Sequence, residues 1–159
     1  IAGTFSKALG ATGGFVVADR SVITYLNYLS TRIVFSAAFP PILAHAVSRA
    51  IDLMEEEGSL RERLRDNVQY LSQGFRQLGL PLGNVQVGAV PVRIHRDEVM
   101  VEFASDLYDA GIFTYPIVYP SVPRGRSMFR LAVQAGHSRE DLDQVLKVFG
   151  ELLRKYQVL

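Results

Sequence analysis

The sequence predicts an α/β protein in which mixed strands and helices lead into a small α+β lobe. Three observations predict it. Two short apolar stretches flank the turn GATGG at residues 10–14. Two long segments then repeat apolar residues at spacings of three and four, the period of a helix with one buried face. From about residue 85 the pattern changes to strand, helix, strand, strand, helix.

The first element expected is a strand over residues 1–5, and its partner is GFVVA at 14–18. The turn between them needs glycine, which reaches positive φ and has no side chain. Ser21 is placed to cap a helix running to residue 28. TRIVFSAAFPP at 31–41 ends in two prolines, which suit the entry to a helix. That helix covers 42–57, with Leu43, Val47, Ala50, Ile51 and Met54 on one stripe, and Gly58 stops it. Ser59 with Glu62 three residues on has the form of a capping box. The following helix carries Leu60, Leu64, Val68, Leu71, Phe75 and Leu78, and Gly79 and Pro81 close it. Residues 85–95 alternate as a strand does, 97–110 form a helix ended by Gly111, and 112–118 and 128–135 are strands around the Pro/Gly loop YPSVPRGR. Ser138 with Asp141 caps the last helix. This divides the chain into residues 1–58, a connecting helix within 59–84, and an α+β domain at 85–159.

Composition narrows the function. With 48% hydrophobic and 21% charged residues in 159, the chain can bury a core as a globular protein does. A net charge of +1 gives no field to gather nucleic acid or an anionic membrane. Arg61, Arg63 and Arg65 alternate with acids and form a solvated helix face. No cysteine is present, which excludes disulfides and thiolate chemistry and fits a reducing compartment, so the expected location is cytoplasmic. No apolar run approaches the roughly 20 residues of a membrane span. His45, His95 and His137 lack metal-ligand spacing, so no metal site is expected, and His137 beside the Ser138 cap has a structural place.

One residue stands out chemically. The chain has three lysines against fourteen arginines, and Lys7 is the one outside the terminal helix. It lies among small and apolar neighbours, with the hydroxyls of Thr4 and Ser6 close in sequence and glycines after it. The order excludes a P-loop, whose lysine follows the glycines. An amine that can lose its proton and form a Schiff base is something arginine cannot replace.

Thr4-Phe5-Ser6-Lys7-Ala8-Leu9-Gly10 with Gly13-Gly14 resembles the pyridoxal-phosphate lysine segment of the α-oxoamine synthases, which are fold type I, aspartate-aminotransferase-like enzymes. That family includes 8-amino-7-oxononanoate synthase and glycine C-acetyltransferase. FSAAFPP at 35–41 is similar to its aromatic, hydroxyl, Pro-Pro stretch, and residues 119–138 to its P-x-V-P-x-G-x-x-R-x-R strand segment. The resemblance implies the C-terminal portion of a fold type I transferase: the end of the large α/β domain plus the small α+β domain. It implies pyridoxal 5'-phosphate carried on Lys7, with Thr4 on the phosphate. Ser36 would reach the phosphate held by the neighbouring subunit of a homodimer, and Arg130 would bind the amino-acid carboxylate. Two positions depart from the pattern: Ala37 replaces a second polar residue and Met128 the first arginine. The implied reaction condenses an amino acid with an acyl-CoA or acyl-carrier thioester, with loss of CO2. The family's chains are longer and carry other cofactor contacts upstream, so this chain alone is expected to be inactive. Aminotransferases of the same fold use the same lysine, and non-catalytic partner subunits occur in some branches, so both remain as alternatives. Tyr115 and Tyr119 are expected to pack, or to line the substrate mouth.

Overall fold

The computed structural model describes residues 1–158. The chain forms two compact units, Ile1–Gly58 and Ser59–Leu159.

In the first unit, β1 (Ala2–Thr4) and β2 (Gly14–Val16) pair antiparallel, with Gly3 opposite Phe15 and Thr4 opposite Gly14. Hydrogen bonding runs one step past each end: Val17 N–H donates to Ile1 O at 2.8 Å and Phe5 N–H to Gly13 O at 3.0 Å. The strands are therefore shorter by assignment than the apolar stretches, while the bonding covers most of them. α1 (Arg20–Leu29) starts one residue before Ser21. Ser21 thus lies inside the first turn and does not cap it; the Asp19 carbonyl receives Val22 N–H at 2.9 Å and Ile23 N–H at 3.1 Å. α2 (Thr31–Val34) is one turn, and α3 (Pro41–Glu56) opens on Pro41, whose missing N–H loses nothing at that position. Among the described residues, Ala11 and Val47 are the only buried hydrophobic side chains of this unit.

The second unit holds the main core. α4 (Ser59–Gln77), which the sequence presents as a connector, buries Val68, Leu71 and Phe75 in it. β3 (Ala89–Arg93), β4 (Pro116–Ile117) and β5 (Met128–Ala132) form an antiparallel sheet in the order β3-β5-β4. All three are shorter than the alternating stretches. In proportion to its length the shortfall is greatest at 112–118, where Thr114 turns its hydroxyl toward the Arg130 carbonyl at 3.5 Å and only two residues pair with β5. The helix expected at 97–110 begins as a 3-10 turn, Asp97–Val99, and continues as α5 (Met100–Asp109). α6 (Arg139–Lys155) has the expected capping box: Asp141 N–H donates to Ser138 Oγ at 3.1 Å and Ser138 N–H to Asp141 Oδ2 at 2.8 Å.

Four elements meet in one aromatic cluster. Phe149 of α6 lies 5.1 Å from Phe75 of α4, 5.6 Å from Phe103 of α5 and 5.8 Å from Phe129 of β5, measured between ring centroids. All four rings are fully buried. Asp106 of α5 adds a polar tie at the periphery, accepting from Lys155 Nζ at 2.6 Å and from the Tyr156 hydroxyl at 2.8 Å. Truncating the central ring removes its transfer energy and leaves a cavity. Phe149→Ala is therefore expected to lower unfolding stability by about 3–5 kcal/mol, read as a fall in the urea midpoint.

Candidate active site

β1 delivers the chain to a turn built from hydroxyls. Thr4 Oγ1 lies 2.9 Å from Ser6 Oγ and 3.3 Å from Gly13 O, and it accepts Ser6 N–H at 3.2 Å. Lys7 stands three residues beyond β1, in a turn closed by Gly10 N–H on Lys7 O at 3.0 Å. Its side chain is exposed, and among the described residues Nζ has neither an ion-pair nor a hydrogen-bond partner. Below the turn, the Phe5 ring stacks on Phe15 and packs on Phe39, both at 5.7 Å. Gly14 is required by contact: a Cβ there would lie 2.4 Å from Gly3 O, too close for any side chain to be accommodated without moving the strand.

Phe39 brings the 35–41 segment against this turn, so Thr4, Lys7 and the stretch containing Ser36 belong to one local assembly. Ser36 is exposed, and its hydroxyl donates back to Arg32 O within α2. Arg130 belongs to the second unit. It occupies the middle of the central strand β5, opposite Pro91 of β3. Phe129 and Leu131 on either side are buried, while Arg130 is on the open face with its guanidinium unpaired among the described residues. Tyr115 is exposed and packs edge-on against Phe113 at 5.1 Å; Tyr119 lies under the Arg124 guanidinium at 4.9 Å. His137 Nδ1 accepts Gln134 N–H at 3.3 Å, within a turn that Asn67 Nδ2 ties down through Gln134 O and His137 O at 3.0 and 3.1 Å. Among the described residues, no group of three or more His, Asp or Glu side chains is placed to hold a metal ion.

The sequence left one polar assembly unread. Asp97 accepts Gly125 N–H at 2.8 Å through Oδ2 and the buried Ser127 hydroxyl through Oδ1. The Ser127 hydroxyl first, and the Gly125 N–H after it, hold the Asp97 carboxyl below its ordinary pKa. No local pattern couples residue 97 to residues 28 and 30 positions away; an acid before a helix is the usual mark of a helix start.

This architecture, an α/β segment followed by an antiparallel α+β unit, is that of the pyridoxal-phosphate-dependent transferases of fold type I, matched here over about 40% of their length. The family model described as Aminotransferase class I and II matches residues 1–149, and the chain belongs to that family. Its relatives within the family are α-oxoamine synthases. It is 35% identical to an 8-amino-7-oxononanoate synthase of Thermoanaerobacter pseudethanolicus over 99% of this chain and 40% of that one. It is 31% identical to a serine palmitoyltransferase of Bacteriovorax stolpii over 98% and 37%. Among solved structures, a serine palmitoyltransferase from S. paucimobilis with a bound PLP–myriocin aldimine superposes with a TM-score of 0.88 at 26% identity, over 99% of this chain and 40% of that chain. The chain thus spans about 40% of the length of the relatives it matches. Among the described residues, no helix is long and apolar enough to cross a membrane.

The donor set around Lys7 fits that cofactor. A primary amine without a partner suits an aldehyde carbon, and two neighbouring hydroxyls with an exposed backbone turn suit a phosphate.

The Asp97 contacts carry a pH signature. Folding lowers this pKa, so the contribution to stability is complete above the unfolded carboxyl value of about 4. It is lost as pH falls through the folded value. The gap in thermal midpoint between the wild type and Asp97→Asn is expected to narrow between pH 7 and about pH 3. A gap that stays constant would contradict this.

Proposed function

We propose that the protein is a pyridoxal-phosphate-dependent acyltransferase that condenses an amino acid with an acyl thioester, on CoA or an acyl carrier, to an α-amino ketone with loss of CO2. The observation that carries this reading is the Lys7 amine, unpaired among the described residues, in a hydroxyl-lined turn of a chain whose relatives are named 8-amino-7-oxononanoate synthase and serine palmitoyltransferase.

Pyridoxal phosphate, when bound, supplies an electron sink for charge developing on the substrate Cα. Lys7 Nζ would hold the cofactor through its aldehyde carbon. The same Nζ would serve as the base for the Cα proton. A guanidinium at this position would remain protonated and could do neither. Thr4 donates its hydroxyl to the phosphate. Arg130 receives the amino-acid carboxylate through paired N–H donors and fixes which bond at Cα is presented for breaking. With Met128 where the pattern has its first arginine, this segment offers Arg130 to the carboxylate.

The reading includes a homodimer in which Ser36 reaches the phosphate held by the other subunit. Its hydroxyl then has to leave Arg32 O, a rotation about a single bond. Phe35 beside it is 84% exposed and Ile42 79%, apolar surface of the kind an interface covers. The family model also takes in aminotransferases, so transfer of the amino group to a keto acid is the competing reaction.

Two outcomes are expected. The intact holoenzyme releases CoA only when amino acid and acyl-CoA are both present, followed by thiol detection. Amino transfer to a keto acid without CoA release would overturn the proposal in favour of an aminotransferase. Lys7→Ala lowers the rate by at least about a thousandfold and abolishes the near-visible absorbance of the lysine-bound cofactor, while Ser36→Ala keeps that absorbance and weakens cofactor retention in dialysis.

A further inference from the structure

The residue that carries the proposed carboxylate contact sits on a short strand with a long irregular loop before it. β5 begins at Met128, and the loop at 119–126 contains Pro120, Pro123 and Gly125. Such a loop does not define by itself where the strand starts. Register matters here because side chains alternate: a slip of one residue would turn Arg130 into the core and put Phe129 and Leu131 outside.

The contacts at Gly125 and Ser127 remove that freedom. Gly125 is gripped on both sides of its peptide units, with its N–H on Asp97 Oδ2 at 2.8 Å and its carbonyl 3.4 Å from His95 Nδ1. Its φ of +73° requires glycine, although a Cβ would meet nothing within 4 Å, so the constraint is backbone conformation and not space. Ser127 is 0% exposed; its hydroxyl goes to Asp97 Oδ1 and its carbonyl accepts Ile94 N–H at 3.1 Å. One carboxylate thus binds two successive alternate residues at the point where the loop becomes β5. His95, on the other side of the grip, takes a φ of +41°, an uncommon conformation for a non-glycine residue.

We infer that Asp97 is a positioning residue for Arg130: by holding the Gly125 N–H and the Ser127 hydroxyl it sets the register and depth at which β5 presents the guanidinium to a substrate carboxylate. The inference rests on the reading of Arg130 as the carboxylate binder. Asp97 acts through Met128 and Phe129, the two residues between Ser127 and Arg130.

The test is a double-mutant cycle in the intact holoenzyme, with glycine, L-alanine and L-serine as probes and the cofactor's absorbance change as the readout of amino-acid binding. Ser127→Ala removes one hydroxyl from a buried site, and Asp97→Asn keeps the shape of the carboxylate, so a loss of folding does not decide the outcome. Ser127→Ala is expected to weaken amino-acid binding about tenfold in the wild-type background and less than about twofold when Arg130 is already Ala. The KM for the acyl thioester should move less than about twofold in Ser127→Ala. Additive effects in the cycle, or equal losses for both substrates, would overturn the positioning role while leaving Arg130 as the binder. A wild-type holoenzyme whose absorbance responds to amino acids but is insensitive to Arg130→Ala would overturn the reading of Arg130, and with it this inference.

Discussion

The burial of Phe129 is the constraint on which most of the second unit depends. Its ring meets Phe103 at 5.2 Å and Phe149 at 5.8 Å, and Phe149 in turn holds Phe75. One residue from each of α4, α5, β5 and α6 therefore contributes to a single dry cluster. Aromatic contacts of this kind combine large buried area with preferred ring angles, so they specify orientation as well as stability. Because side chains alternate along a strand, burying Phe129 and Leu131 leaves Arg130 on the open face. The position of the one charged residue in the middle of β5 follows from where its apolar neighbours must go.

The first unit is organised on a different principle. Its buried core is small, and its definition comes from backbone contact in a tight turn. Thr4 and Ser6 hydrogen-bond to each other and Thr4 Oγ1 donates to Gly13 O, Gly14 lets β2 approach Gly3 closely, and Phe5 fills the space between Phe15 and Phe39. The result is a hydrogen-bonded support beneath the Lys7 amine, which has no partner among the described residues.

The parts of the fold that were legible beforehand are those written in short sequence windows. The stripes on α3 and α4, the Ser138–Asp141 cap, and the lysine turn with its glycines all draw on neighbours within a few positions. The helix start at Arg20 and the partial pairing of 112–118 were not legible, for the same reason in each case. A competing partner decided them: the Asp19 carbonyl in the first, the Thr114 hydroxyl on Arg130 O in the second. The role of α4 was likewise hidden, since periodicity reveals that a helix has a buried face without saying what covers it.

From the sequence alone one could read the type of each main element and the order of segments that marks the family. These are local properties, determined by side-chain chemistry and by period. Tertiary structure alone decided which side of β5 faces the core, which unit α4 joins, and that Asp97 reaches across to Gly125 and Ser127. Those outcomes depend on contacts between residues far apart in the chain. Such contacts form only when burial of the aromatic cluster has brought the strands and helices together, and no short window of sequence contains both partners.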